Sequence, residues 1–224
     1  MQSILKKAIQ NKQKALSEYD SKQIIAEAGI PVTRDILAAS EEEALAAAES
    51  LGYPLVLKGC DHNLMHKTET DMVFLDIQNR EALLEAYGKI TGAGIILQGV
   101  LVQGMVSGNR EFVMGLTRDE SFGPCIMFGL GGIFTEAMKD VTFRVAPLNR
   151  EDAEEMLLEL TSGQLLDEFR GSPAVDREIL INALVGLSEL AVQHPEIEEI
   201  DINPLIISGN RPVAVDALVV LAQE

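Results

Sequence analysis

The stretch 197–221 constrains the fold more than any other part of the chain. Two runs rich in Ile, Leu and Val, at 197–207 and 212–221, are joined through a Ser208-Gly209-Asn210 turn. A connection that short makes an antiparallel hairpin, because a parallel crossover needs a dozen or more residues between its strands. A regular winding of βαβ units is therefore excluded at this end. With the long helical patterns upstream, the expected class is α+β.

Those patterns are punctuated clearly. Residues 3–15 are helix-permissive, a second short helix runs to Ala28 with Gly29 beyond its end, and Ile30-Pro31 breaks it. A strand is expected at 32–38. Ser40 and Glu43 then stand in capping-box spacing before an Ala/Glu-rich helix that ends near Gly52. Residues 54–58 form an apolar strand ending on Lys58, and the loop after it carries Cys60, Asp61, His62 and His66. Further strands are expected at 72–77, within 94–106, and at 110–116 and 124–128, with a helix at 80–90. The cluster Gly129-Leu130-Gly131-Gly132 follows. Asn149 caps a helix over 151–160, a shorter one occupies 164–169, and 176–193 is long and amphipathic. Two lobes are expected, 1–100 and 101–224, the second holding the larger sheet.

The 224 residues suffice for a full core. That core must be aliphatic, since aromatics are 4% of the chain and Trp is absent. The formal charge of −17 argues against nucleic acid as a partner, because binding a phosphate backbone needs a concentrated basic surface. The two cysteines, Cys60 and Cys125, lack metal-ligand spacing, and the first residues lack an apolar signal region. A reducing cytoplasm is the expected location. The longest apolar run, 213–222, is broken by Asp216 and too short to span a bilayer, so no membrane segment is expected.

Several residues suit chemistry, each with a plainer reading beside it. Lys58 is placed to clamp phosphate, or to snorkel from a strand end. Gly131 and Gly132 would let backbone N–H groups face phosphate oxygens, or would simply make a tight turn; the sequence is not a Walker A loop. Asp201, Asn203 and Asp216 are polar residues on strands otherwise aliphatic. Buried there, they need partners, and a hard cation such as Mg²⁺ shared with nucleotide phosphates would supply one; Asn203, before Pro204, would equally end a strand. Glu111 and Gln103 are ambiguous taken alone. His66, in His66-Lys67-Thr68-Glu69, would offer a neutral imidazole as a nucleophile toward phosphorus, or is a surface histidine. His62 and His194 are blander.

Together these segments resemble the ATP-grasp subunit of ADP-forming acetyl-CoA synthetases (acetate–CoA ligases) and, more distantly, the β subunit of succinyl-CoA synthetase. The resemblance covers nearly the whole chain. It is carried by 17–31, Tyr53-Pro54-Leu55-Val56-Leu57-Lys58, the His66 loop, 122–134, and Glu199-Ile200-Asp201-Ile202-Asn203-Pro204-Leu205. It implies the ATP-grasp fold, with nucleotide bound between two lobes. Lys58 would bind the phosphates of ATP or ADP, Gln103 and the backbone around Met105 would meet the base, and Glu111 would face the ribose. Gly131 and Gly132 would belong to the phosphate region, and Asn203 and Asp216 would hold Mg²⁺.

By the same resemblance, His66 matches a phosphorylated loop histidine. It would relay phosphate to and from a CoA-binding α subunit that carries a second phosphohistidine, so a hetero-oligomer is implied. The family often has two glycines where this chain has Asp71-Met72, and a glutamate where it has Gly104. Two other functions fit the same residues: a non-catalytic nucleotide-binding regulatory module, and a stand-alone carboxylate ligase.

Overall fold

A computed structural model describes residues 1–64, 72–132 and 140–223. The chain folds around two sheets, each antiparallel at every pairing. The smaller has the order β1-β4-β2-β3, from β1 (Asp35–Ala38), β2 (Leu55–Cys60), β3 (Val73–Ile77) and β4 (Gly99–Gly104). The larger has the order β10-β8-β5-β6-β7, with β9 also paired to β8. Its strands are β5 (Glu111–Asp119), β6 (Gly123–Leu130), β7 (Val141–Val145), β8 (Ile197–Ser208), β9 (Arg211–Ala214) and β10 (Leu218–Leu221).

The helices start where side chains can cap them. In α3 (Glu41–Leu51) the Ser40 hydroxyl accepts from the Glu43 N–H, three glutamates fill the first turn, and Ala44, Ala47 and Ala48 give the buried face. It stops at Gly52, whose φ of 79° is open to glycine. In α5 (Arg150–Leu158) Asn149 and Asp152 cap each other reciprocally. In α6 (Arg177–Gln193) the Asp176 carboxylate caps the start, and Leu180, Leu184, Leu187 and Ala191 recur at helical spacing on the buried face. The helix α4 (Arg80–Gly92) covers the smaller sheet with α3.

Two cores result. Residues Leu55, Leu57, Leu83, Ile90, Val100 and Val102 belong to one, against the smaller sheet. The other joins the larger sheet to α5 and α6, with Phe112 and Phe128 stacked at 5.4 Å inside it. Leu5, Leu16, Ile24, Ile25 and Ile30 also lie in this second core, so α1 (Gln2–Gln10) and α2 (Glu18–Glu27) pack with the larger sheet. A cut at residue 100 falls within β4, and the small core draws on residues either side of it.

Three local differences from the sequence reading have physical causes. The strand expected over 32–38 begins only at Asp35, because Val32 bridges Ala214 and the Thr33 N–H donates to the Ala214 carbonyl. The first helix ends at Gln10, not near residue 15, since the chain turns to lay residues 14–16 along β10. The return strand of the final hairpin is split into β9 and β10 by Val215-Asp216-Ala217. Among the described residues no helix is long and apolar enough to cross a membrane.

Candidate functional site between the two sheets

Along β2, Leu55 and Leu57 point into the small core, so Val56 and Lys58 must face the other way, toward α2 and the β9–β10 break. Lys58 is only 5% exposed, which rules out a snorkelling side chain. Its Nζ donates to Glu18 Oε1 at 2.7 Å and to the Val215 carbonyl at 2.9 Å, and lies 3.6 Å from Asp216 Oδ2. Burial alone would push this ammonium's pKa down, but the negative charges of Glu18, Asp216 and Asp35 outweigh it and hold the pKa above the ordinary lysine value. Lys58 is thus a fixed cation joining the two sheets' territories.

One turn along α2, Lys22 sits in the same network. Its Nζ donates to Thr33 Oγ1 at 2.9 Å, Asp35 Oδ2 at 2.8 Å and Gln103 Oε1 at 2.9 Å, and lies 2.8 Å from Glu18 Oε1. Asp35 pays for its burial with a raised pKa despite Lys22 beside it. Gln103, 2% exposed, is thereby drawn into contact with the same charged group as Lys58. Met105 stands just past β4 with its side chain exposed, and its N–H already donates to the Pro54 carbonyl at 3.1 Å.

The carboxylates gather on the larger sheet. Asp216 is half-exposed at the break between β9 and β10, and one of its oxygens accepts from the Ala217 N–H. Asp201 on β8 lies opposite Leu218 of β10 and Gly115 of β5. Burial, then the charges of Glu199 and Asp216, push its pKa up to about 6. Asn203 follows on the same strand, exposed, where the register with β5 shifts. Such a carboxyl, uncomfortable as an anion and close to a second carboxylate, is one that a bound cation would relieve. No group of three His, Cys, Asp or Glu stands at metal-binding spacing among the described residues. The donor set of two carboxylates and an amide nevertheless fits Mg²⁺, which characteristically takes one or two carboxylates and completes its shell with water and phosphate.

Glu111, Gly131 and Gly132 form a second group, at the ends of β5 and β6. The Gly131 N–H donates to the Glu111 carbonyl at 2.8 Å, and a Cβ on Gly131 would lie 2.8 Å from the Phe112 carbonyl. Gly132 has a φ of 70°, and a Cβ there would come 2.9 Å from Glu111 Oε2. Gly131 is thus required by close approach of the β5 backbone at Glu111 and Phe112, and Gly132 by its positive φ. A cavity of about 560 Å³ opens beside them, lined also by Asn109, Arg110, Ser162 and Gln164. His66 lies outside the described residues.

Sequence reasoning overlooked Glu18, Lys22 and Asp35. A usable signal existed: Glu18, Ser21, Lys22 and Ile25 share one stripe of α2 and all are buried. Arg110, expected only as the first residue of a strand, is buried, and its guanidinium donates to the carbonyls of Leu165, Asp167, Pro173 and Gly209.

Comparison with known proteins identifies the family. A family model described as an ATP-grasp domain matches residues 7–221. The β subunit of ADP-forming acetate–CoA ligase I from Pyrococcus furiosus is 41% identical over 212 residues, covering 92% of this chain and 91% of that protein. ADP-forming acetate–CoA ligase I from Archaeoglobus fulgidus is 38% identical over 203 residues, 88% of this chain but 29% of that longer protein. Among solved structures, acetyl-coenzyme A synthetase 1 of Ca. Korarchaeum cryptofilum, in complex with coenzyme A, Ca-AMPCP and HgCl⁺, aligns with a TM-score of 0.93 at 39% identity over 99% of both chains. The same synthetase with coenzyme A and Mg-AMPPCP, its phosphohistidine segment pointing towards the nucleotide binding site, aligns at 0.88 and 38% identity over 99% of both chains. The chain belongs to the ATP-grasp family, in the branch of the ADP-forming acetate–CoA ligase β subunits.

Proposed function

We propose that this chain is the nucleotide-binding subunit of an ADP-forming acyl-CoA synthetase, converting acyl-CoA, ADP and phosphate to a carboxylic acid, ATP and CoA together with a CoA-binding partner. The observation that carries the reading is the buried Lys58 ammonium beside Asp216, facing out of the small sheet toward the strands that bear Asp201 and Asn203. The two sheets, each with the helices that cover it, would hold the nucleotide between them. The sizes of the relatives support the partner: a chain of this length in Pyrococcus is named a β subunit, whereas the matched residues are only 29% of the Archaeoglobus ligase.

In this reading Lys58 neutralises phosphate oxygens, at a place fixed before the nucleotide arrives, so little reorganisation is needed when charge shifts in phosphoryl transfer. Gln103 and the Met105 backbone meet the base, Glu111 the ribose, and Gly131 and Gly132 shape the wall beside it. Asn203 and Asp216, joined by Asp201, would hold Mg²⁺, which supplies charge neutralisation and orients the phosphates when bound. His66 takes the phosphoryl group from a second histidine on the partner to ADP in the nucleotide site, and the phosphohistidine segment of the Korarchaeum synthetase supports that role. The test is calorimetric titration of the chain with Mg-ADP, then ATP formation from acetyl-CoA, ADP and phosphate after adding the separately purified CoA-binding subunit. Saturable binding, with ATP formed only in the mixture, is expected. ATP formed by this chain alone would contradict the division of labour.

A further inference from the structure

An ammonium has three N–H donors and no acceptor. All three on Lys22 are engaged, by Thr33 Oγ1, Asp35 Oδ2 and Gln103 Oε1, with Glu18 Oε1 completing the shell at 2.8 Å. This settles the orientation of the Gln103 amide by chemistry, since the flipped amide would set N–H against N–H. The carboxamide oxygen is fixed on Lys22, and the amide NH₂ is turned away from it. Gln103 is the penultimate residue of β4, and two residues on the Met105 N–H is already given to the Pro54 carbonyl.

From this arrangement we infer that Lys22 is a positioning residue for base selection: by holding Gln103 Oε1 it makes Gln103 a hydrogen-bond donor to the nucleotide base, favouring adenine over guanine. In one and the same pose, adenine offers N1 as an acceptor, whereas guanine sets its N1–H against the amide NH₂ and would have to shift to offer O6 instead. Thr33, Asp35 and Glu18 act one step further out, since they hold Lys22 in place. The inference rests on the nucleotide reading above and deepens it.

A lysine in a buried charge cluster has a plainer role as well, tying α2 to the small sheet. The two roles predict different measurements. Dissociation constants for Mg-ADP and Mg-GDP should be measured by calorimetry on the full chain, on Lys22→Met, on Gln103→Met and on the double variant. The wild type should prefer ADP. Lys22→Met should shrink the GDP-to-ADP ratio of constants by about tenfold, the worth of one well-made hydrogen bond. Gln103→Met should shrink it equally, and the double variant should be no worse than either single one, because Lys22 acts through Gln103. Should Lys22→Met not fold, Lys22→Met/Asp35→Asn removes the paired charge with it and answers the same question. A purely structural lysine would weaken both nucleotides alike, and an unchanged ratio, like a wild type without preference, overturns the inference while leaving nucleotide binding intact. A wild type that binds neither nucleotide overturns the functional reading and this inference with it.

Discussion

Lys58 and Asp201 show how burial and neighbouring charge decide a residue's role. Replacing Lys58 by Met strips the site of its fixed cation but leaves Lys22 2.8 Å from Glu18. The loss should therefore cost no more than about 3 kcal/mol in stability, while Mg-ADP affinity falls at least tenfold; calorimetry reads both. Asp201 predicts a pH effect of definite sign. Its pKa is about 6 in the folded chain, above the ordinary carboxyl value of 3.8. The folded state then holds its proton more tightly, and the stability this gives is complete below the unfolded pKa and lost as pH rises through 6. In metal-free buffer, Asp201→Asn should accordingly raise the melting temperature at pH 7.5 but not at pH 4. An equal shift at both pH values would contradict the assignment. Lys58, Asp201, Asn203 and Asp216 were visible in the sequence because polar residues on aliphatic strands stand out. Lys22 was not, because Glu18 and Lys22 at i,i+4 look the same as a solvated helix pair.

Elements were legible where local chemistry dictates them and obscure where packing does. The caps at Ser40 and Asn149 hold their helices as the sequence suggests, whereas Asp176, expected inside its helix, caps it instead. β7 escaped notice because its alternation is inverted: Thr142 is buried, within 3.3 Å of the Phe128 and Met156 carbonyls, while Phe143 and Val145 face outward. The split of the last strand was equally hidden, being set by the passage of residues 32–33 and 14–16 along β9 and β10. The helix that brings Glu18 and Lys22 to the site begins at Ser17, whose hydroxyl accepts from the Asp20 N–H. Ser17→Ala should destabilise the chain by about 1 kcal/mol in denaturant titrations. Gly131→Ala should cost about 1–3 kcal/mol, because its Cβ would press on the backbone at Phe112.

At the scale of the molecule, α2 and the β9–β10 break belong to one sheet's territory and β2 to the other, and Lys58 ties them together. Nucleotide bound there engages both, so saturating Mg-ADP should stabilise the whole chain as one unit, by about 2.7 kcal/mol at a hundred times its dissociation constant. The family and its architecture could be read from the order of motifs, whereas the way the first helices join the larger core could not, since it depends on contacts distant in sequence. The central claim is that this site exchanges a phosphoryl group with His66. It is tested by incubating the chain with γ-labelled ATP and Mg²⁺. The account predicts an acid-labile, base-stable phosphate on the wild type and none on His66→Asn, whereas equal labelling of the two would contradict it.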